Sequence, residues 1–442
     1  MSTSAQLELP ASCSVCVQGE CDRTSQGIWV EGMQKRSVPL ELFRTLLVLF
    51  AATFLPLSNA SAATVSTHSL SHPKTKSSTV TENPRAQHTM TQRRHSRRVV
   101  RASYSRSRRH HRYYERFYTS SFAGDQTATD LAAGEDAIVR QAAIDALGDM
   151  NGTIVAVDPN SGRILAMVNQ PLALSEGAQP CSTIKLSVAL AALSEGIISK
   201  ETKVSLGGRY RMDLTDALAH SNNTYFEVLG RKLGFEKVSY YAHQYGLGEL
   251  AGYNIPGEHL GIYPTEELGE KQGGVGKMCS FGESISMTPL QLGALVSAIA
   301  NGGTLYYLQH PTTPEEVANF QPKVKRHLDI ANVIPDMTDG MAAAVLYGTA
   351  RPLRASFDEE EILGKTGTCS KNGTRFGWFA SYANTNFGKV VVVVFLRGGR
   401  PTFGPKAAEI SGRMYRNLYD HSFFAVRAPA LERSSSPVNA SQ

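Results

Sequence analysis

Residues 361–399, EILGKTGTCSKNGTRFGWFASYANTNFGKVVVVVFLRGG, hold three runs dense in β-branched and aromatic residues, joined by short links that contain glycine. Runs of this kind read as strands. Near the other end, residues 152–170, GTIVAVDPNSGRILAMVNQ, place two more such runs around Asp158-Pro159-Asn160-Ser161-Gly162. Pro and Gly there supply the backbone angles of a turn, so the segment predicts a hairpin. Just before it, EDAIVRQAAIDALGDM (135–150) spaces Ile138, Val139, Ala142, Ala143 and Leu147 at helical intervals, and PKAAEISGRMYRNLY (405–419) reads as a closing helix. Some 190 mainly helical residues lie between the two sets of strands. The expectation is an α+β fold: one antiparallel five-stranded sheet built from both extremities of the chain, with packed helices and an inserted helical subdomain. There is no internal repeat.

The charge is concentrated in one region. From His72 to Tyr118 there are thirteen Lys or Arg and two acids, against a formal +6 for the whole chain, so the remainder is net acidic. The basicity of the 442 residues therefore says nothing about the folded part. With few aliphatic residues and much His, Tyr and Ser, residues 64–133 are expected to form a disordered basic tether. Upstream, residues 33–63 begin with Lys35 and Arg36, continue through an apolar run at 45–57 and reach Ala60-Ser61-Ala62, the layout of an export signal. The apolar run is shorter than the roughly 18 to 20 residues of a stable span, which favours cleavage over a membrane anchor. Residues 1–32 then read as a cytoplasmic or non-native leader, whose Cys13, Cys16 and Cys21 lack the second pair of a zinc site. Residues 423–442 read as a disordered tail.

Chemistry is suggested by QPCSTIKLSVALAALSEG (179–196), in which Ser182 and Lys185 stand three positions apart at the mouth of an apolar helix. On a helix they share a face. A buried ammonium must be paired, or its pKa falls, and a lysine so lowered can take a proton from a serine hydroxyl. Alone the pair is weak: Ser71 and Lys74 repeat the spacing inside the tether. AHSNNTYF (219–226) adds Ser221, Asn222 and Asn223, which by themselves read most simply as a helix N-cap. LGKTGTCS (363–370) adds Lys365, Thr366, Gly367 and Thr368 on a strand, where alternation sets both threonine hydroxyls on one face and Gly367 leaves the other open to close packing.

Serine-lysine, then Ser-x-Asn, then Lys-Thr-Gly, in that order, resembles the signature of the serine acyltransferases that include penicillin-binding proteins and β-lactamases. The chain is similar to a penicillin-binding protein transpeptidase domain. The likeness extends to GTIVAVDPNSGRILAMVN (152–169), IPGEHLGIYPT (255–265), SISMTPLQLGALVSAIANGG (284–303) and GWFASYA (377–383), and covers about residues 135–420 within a domain spanning 134–422. It implies acyl transfer on D-Ala-D-Ala stem peptides of peptidoglycan. Ser182 would be the nucleophile, Lys185 its base, Ser221 a proton relay, Asn223 a partner of Lys185, and Lys365 the electrostatic support. Thr366, Gly367 and Thr368 would bind substrate, and the N–H groups of Ser182 and Thr368 would hold the oxyanion. The resemblance calls for no metal and no organic cofactor. Its partners would be stem peptides and β-lactams, at an exported, periplasmic or cell-envelope location. The tether would suit anionic wall polymers or a membrane surface rather than nucleic acid, which an exported protein rarely meets.

Departures from that pattern are specific. Cys181 stands where the family commonly has Gly, SFGES (280–284) where Gly-Gln-Gly is usual, and the interval from Ser182 to Ser221 is short. The acyl acceptor, an amine or water, distinguishes crosslinking from trimming. A β-lactamase is disfavoured because PTEELGE (264–270) is broken at Gly269 as a water-activating element. A β-lactam-binding receptor, or a wall-binding pseudoenzyme without turnover, is a further alternative. Cys181 and Cys369 both adjoin motifs that the resemblance brings to one cleft. They could be bridged in an oxidising compartment, or be buried thiols used as small apolar residues.

Overall fold

The computed structural model describes residues 116–385 and 388–426. The leader, the export signal or anchor, the basic stretch up to residue 115 and the tail from residue 427 lie outside the described residues. The elements run α1 (Ala137–Leu147), β1 (Gly152–Val157), β2 (Ile164–Val168), α2 (Gln170–Ala173), α3 (Lys185–Ser194), β3 (Val204–Gly207) and β4 (Tyr210–Met212). They continue with α4 (Leu214–Ala219), α5 (Asn223–Gln244), α6 (Gly274–Phe281), α7 (Pro289–Asn301), β5 (Thr304–Tyr306), α8 (Pro314–Ala318), β6 (Val324–His327) and α9 (Ile334–Leu346). Three long strands, β7 (Glu361–Lys371), β8 (Thr374–Thr385) and β9 (Gly388–Gly398), precede α10 (Gly404–Asp420) and α11 (Phe423–Val426).

The five-stranded sheet has the order β2-β1-β9-β8-β7, with every pairing antiparallel. It joins the two ends of the chain as expected, through β1 against β9, where Ala156 faces Val392. The valine run of β9 is apolar without alternation because both faces of the sheet are covered. Val392, Val394 and Leu396 enter a core layer with α1 and α10, while Val391, Val393 and Phe395 enter a second layer with α3, α7 and the inserted helices. Local chemistry sets the boundaries. Asp136 caps α1 by accepting the N–H groups of Ile138 and Val139, and Thr288 and Gln291 form a reciprocal capping box at the start of α7. The β1–β2 turn closes on Asp158, whose carboxylate accepts Asn160 N–H and the Ser161 hydroxyl. Gly162 supplies its left-handed position.

Two expected boundaries shift. Composition places residues 116–133 in the basic tether, but they are hydrogen-bonded to the domain. Tyr118 N–H donates to Gly373 O at 2.9 Å, Gly399 N–H to Ser121 Oγ at 2.7 Å, and Asn169 and Gln170 N–H to the Asp130 carboxylate. The basic composition that suggests a tether ends at Arg116, and the residues after it hydrogen-bond to turns and strand ends of the sheet. At the other end, Phe423 and Phe424 are buried in the α1–α10 layer, so the expected tail begins later than 423.

Candidate active site

The site lies where α3, the α4–α5 junction and β7 converge. Residues Cys181–Ile184 form one 3-10 turn, and the α-helix begins at Lys185. Ser182 therefore sits in the turn that leads into α3, three residues before Lys185, and their side chains meet at 3.0 Å. Helix α3 is buried from Lys185 through Leu193, which explains its near-continuous apolar sequence. Lys185 itself has no exposed surface.

The Lys185 amine has four neighbours. It approaches Ser221 O at 2.8 Å, Asn223 Oδ1 at 2.6 Å, Ser221 Oγ at 3.1 Å and Ser182 Oγ at 3.0 Å. The Ser221 carbonyl and the Asn223 amide oxygen can only accept, so they take the two N–H bonds of a neutral amine. The lone pair is then left for a hydroxyl proton. Burial drives the Lys185 pKa well below the usual lysine range, and the like charge of Lys365 adds to this against a small opposing pull from Glu227. Among the described residues no carboxylate bonds either amine.

The Ser-Asn-Asn segment divides its roles by residue. Ser221 is in the left-handed region (φ 54°), which turns its side chain out of the helical pattern. Asn222 is an ordinary N-cap, its side chain accepting Tyr225 N–H. Asn223 opens α5 and reaches Lys185. From the opposite wall Lys365, wholly buried, donates to Ser221 Oγ at 2.8 Å and to Thr366 O at 2.9 Å. Its pKa is brought down to about 7 by burial. Ser221 Oγ thus lies between two amines.

The β7 edge packs directly on the nucleophile turn. A methyl group at Gly367 would sit 2.9 Å from Pro180 O and 3.2 Å from Thr183 Cγ2. Thr366 Oγ1 pairs with Thr349 Oγ1 at 2.6 Å, while Thr368 Oγ1 accepts Gly404 N–H at 2.8 Å. Cys181 and Cys369 are joined by a disulfide with their Cα atoms 5.5 Å apart. That decides between the two readings the sequence left open.

Hydrogen bonds bring Ser182, Lys185, Ser221, Asn223 and Lys365 together, and Gly367 packs on the nucleophile turn, whereas the hydroxyls of Thr366 and Thr368 bond Thr349 and Gly404 on the other face of β7. Three supports were missed. Thr349 follows α9 and carried no motif. Gln179 accepts the indole N–H of Trp378 at 3.0 Å. Its amide also donates to Phe281 O and Glu283 Oε2, within the divergent SFGES loop. Trp378 carried the one available signal, as one of two tryptophans in the chain, placed opposite Gly367 in the β7–β8 register.

The family profile of the penicillin binding protein transpeptidase domain matches residues 152–420, more than half of the chain. The chain belongs to that family. This transpeptidase domain is similar to stage V sporulation protein D of Bacillus subtilis, 27% identical over 315 residues that make up 60% of this chain and 48% of that protein. It is likewise similar to the peptidoglycan D,D-transpeptidase MrdA of Acinetobacter baumannii, 25% identical over 359 residues, 64% of this chain and 52% of that one. The chain spans about half the length of these relatives. Its fold is shared with Pseudomonas aeruginosa PBP2 crystallised in complex with WCK 5153 (TM-score 0.53, 23% identity, 65% of this chain and 77% of that one). It is shared also with a peptidoglycan glycosyltransferase from Burkholderia ambifaria (TM-score 0.55, 19% identity, 67% and 98%). The transpeptidase fold thus accounts for the sheet, the inserted helices and the placement of the cleft between them.

Proposed function

We propose that this protein is a serine D,D-transpeptidase of peptidoglycan, acting on D-Ala-D-Ala stem peptides through an acyl-enzyme and acylated by penicillin. The observation that carries the reading is the Lys185 amine, buried, with two acceptor-only partners and the hydroxyls of Ser182 and Ser221 as its remaining neighbours. Ser182 Oγ attacks the carbonyl of the penultimate D-alanine while its proton passes to Lys185. The peptide C–N bond then breaks, and the leaving amine of the terminal D-alanine receives a proton through Ser221, which bridges Lys185 and Lys365. Water or an amine from a second stem attacks the ester and regenerates Ser182. The backbone N–H groups of Ser182 and Thr368 stabilise the tetrahedral oxyanion, a contribution of about 3 to 4 kcal/mol per donor. Because Thr368 Oγ1 already accepts Gly404 N–H, its own proton is available to the substrate carboxylate.

Stem peptides lie in the cell envelope, and the export-signal layout of residues 33–63 fits a location there. The basic residues of 64–115 suit anionic wall polymers or a membrane surface. Among the described residues no helix is long and apolar enough to cross a membrane. The test is mass spectrometry of the intact protein after penicillin, with mapping of the adduct, together with release of D-alanine from a stem pentapeptide. A durable adduct on Ser182 and release by wild type but not by Ser182→Ala are expected. An adduct without D-alanine release would make the protein a β-lactam receptor, and a fleeting adduct a β-lactamase.

A further inference from the structure

We propose that the Cys181–Cys369 disulfide is a positioning element of the acyl-transfer step, a covalent clamp that fixes the two halves of the oxyanion hole relative to each other. The inference rests on the transpeptidase reading of the site. Cys181 directly precedes the nucleophile and Cys369 directly follows Thr368, so the bridged residues flank the two oxyanion donors across a sequence separation of 188 residues. No strand ladder joins these segments. β7 is an edge strand paired only with β8 in its sheet, and its free side meets the Cys181–Ile184 turn by packing at Gly367. Upstream, the Trp378 indole holds Gln179 O, so the bridge and that hydrogen bond bracket Pro180.

Backbone geometry makes the clamp more than a staple. Cys181 has φ 51°, a left-handed conformation that disfavours any residue bearing a Cβ. Its side chain is wholly buried and tied to β7, so the backbone cannot relax while the bridge is intact. Acyl transfer is sensitive to sub-ångström placement of oxyanion donors, whereas initial binding through the threonine hydroxyls is not. Opening the bridge is therefore expected to slow acylation without weakening the first complex. Cys369 is half-buried, which gives thiol reagents a route to the bridge.

The experiment uses the full-length chain and dithiothreitol. Two electrons and two protons pass from the reagent to the bridge, leaving two thiols and the cyclic disulfide of the reagent. Alkylation and peptide mapping report the opening at Cys181 and Cys369. Rapid-mixing kinetics with a fluorescent penicillin separate the dissociation constant of the initial complex from the acylation constant. On opening, the acylation constant falls at least roughly tenfold while the dissociation constant stays within about twofold. The double variant Cys181→Ser, Cys369→Ser shows the same loss and ignores dithiothreitol. Cys181→Gly with Cys369→Ser recovers most of the rate, because glycine holds a left-handed φ unaided. Unchanged acylation after mapped opening overturns the proposal. So does an equal slowing of the Ser and Gly variants with weakened initial binding, which would mark a purely structural bridge, or the finding of two free thiols in protein from an oxidising compartment. An oxidised wild type with no Ser182 adduct overturns the underlying site reading instead, a failure visible before any reductant is added.

Discussion

Among the described residues the amines of Lys185 and Lys365 hydrogen-bond to neutral groups alone, and this couples activity to a cost in stability. The Lys365 pKa falls from 10.5 to about 7 because folding buries it. Between those pH values the unfolded chain binds a proton that the folded chain does not. Stability therefore rises by roughly 1.4 kcal/mol per pH unit across that window for this one group, and stays at its depressed level below about pH 7, where both states hold the proton. Lys365→Met keeps the volume and removes the titration. It is expected to gain a few kcal/mol in urea denaturation at pH 7, to lose that gain as the pH approaches 10.5, and to form no penicillin adduct. A variant less stable than wild type at pH 7 would contradict the buried neutral amine. Acylation by wild type should likewise rise with pH through the lowered pKa of Lys185 and fail on its acid side, where the base is protonated.

At the level of elements, β7 and the nucleophile turn act as one unit because Gly367 lets them touch. Gly367→Ala would force the β7 edge away from the Pro180 carbonyl, a rigid backbone neighbour. Acylation by penicillin is expected to drop on the order of 100-fold with the melting temperature little changed, and wild-type kinetics would refute the close approach. This contact was legible in the sequence, since alternation along LGKTGTCS assigns Gly367 to the face opposite the threonines. The strands, the first hairpin, α1 and α10 were equally legible, their patterns being local. What could not be read was where non-local segments meet. Ser-Asn-Asn resembles a helix cap and at Asn222 is one; only the left-handed φ of Ser221 turns its neighbours into a site. Thr349 and Gln179 act through partners 17 and 199 residues away, and no spacing rule connects such positions.

On the scale of the whole molecule, the segment after residue 116 belongs to the domain, contrary to its composition. Asp130 is the clearest case. Its fully buried carboxylate pairs with Arg140 at 3.1 Å and accepts the N–H groups of Asn169 and Gln170. Removing it leaves Arg140 with Glu135 alone and two backbone donors without partners. Asp130→Ala is expected to cost about 3 to 5 kcal/mol in chemical denaturation, whereas a true tether residue would cost nothing measurable. Sequence reasoning missed this because a short polar stretch resembles a linker until its partners on the sheet are known. The same segment fastens at the β7–β8 turn, through Tyr118 to Gly373 and Thr119 to Thr374, four and five residues beyond Cys369 of the catalytic strand. Among the described residues, mechanical tension arriving along the chain from its N-terminal side would therefore reach the tip of that hairpin and the neighbouring Gly399, against which Phe117 lies. The sulfur bridge stands between the point of load and the nucleophile, so the cleft could hold its shape while the anchorage is pulled.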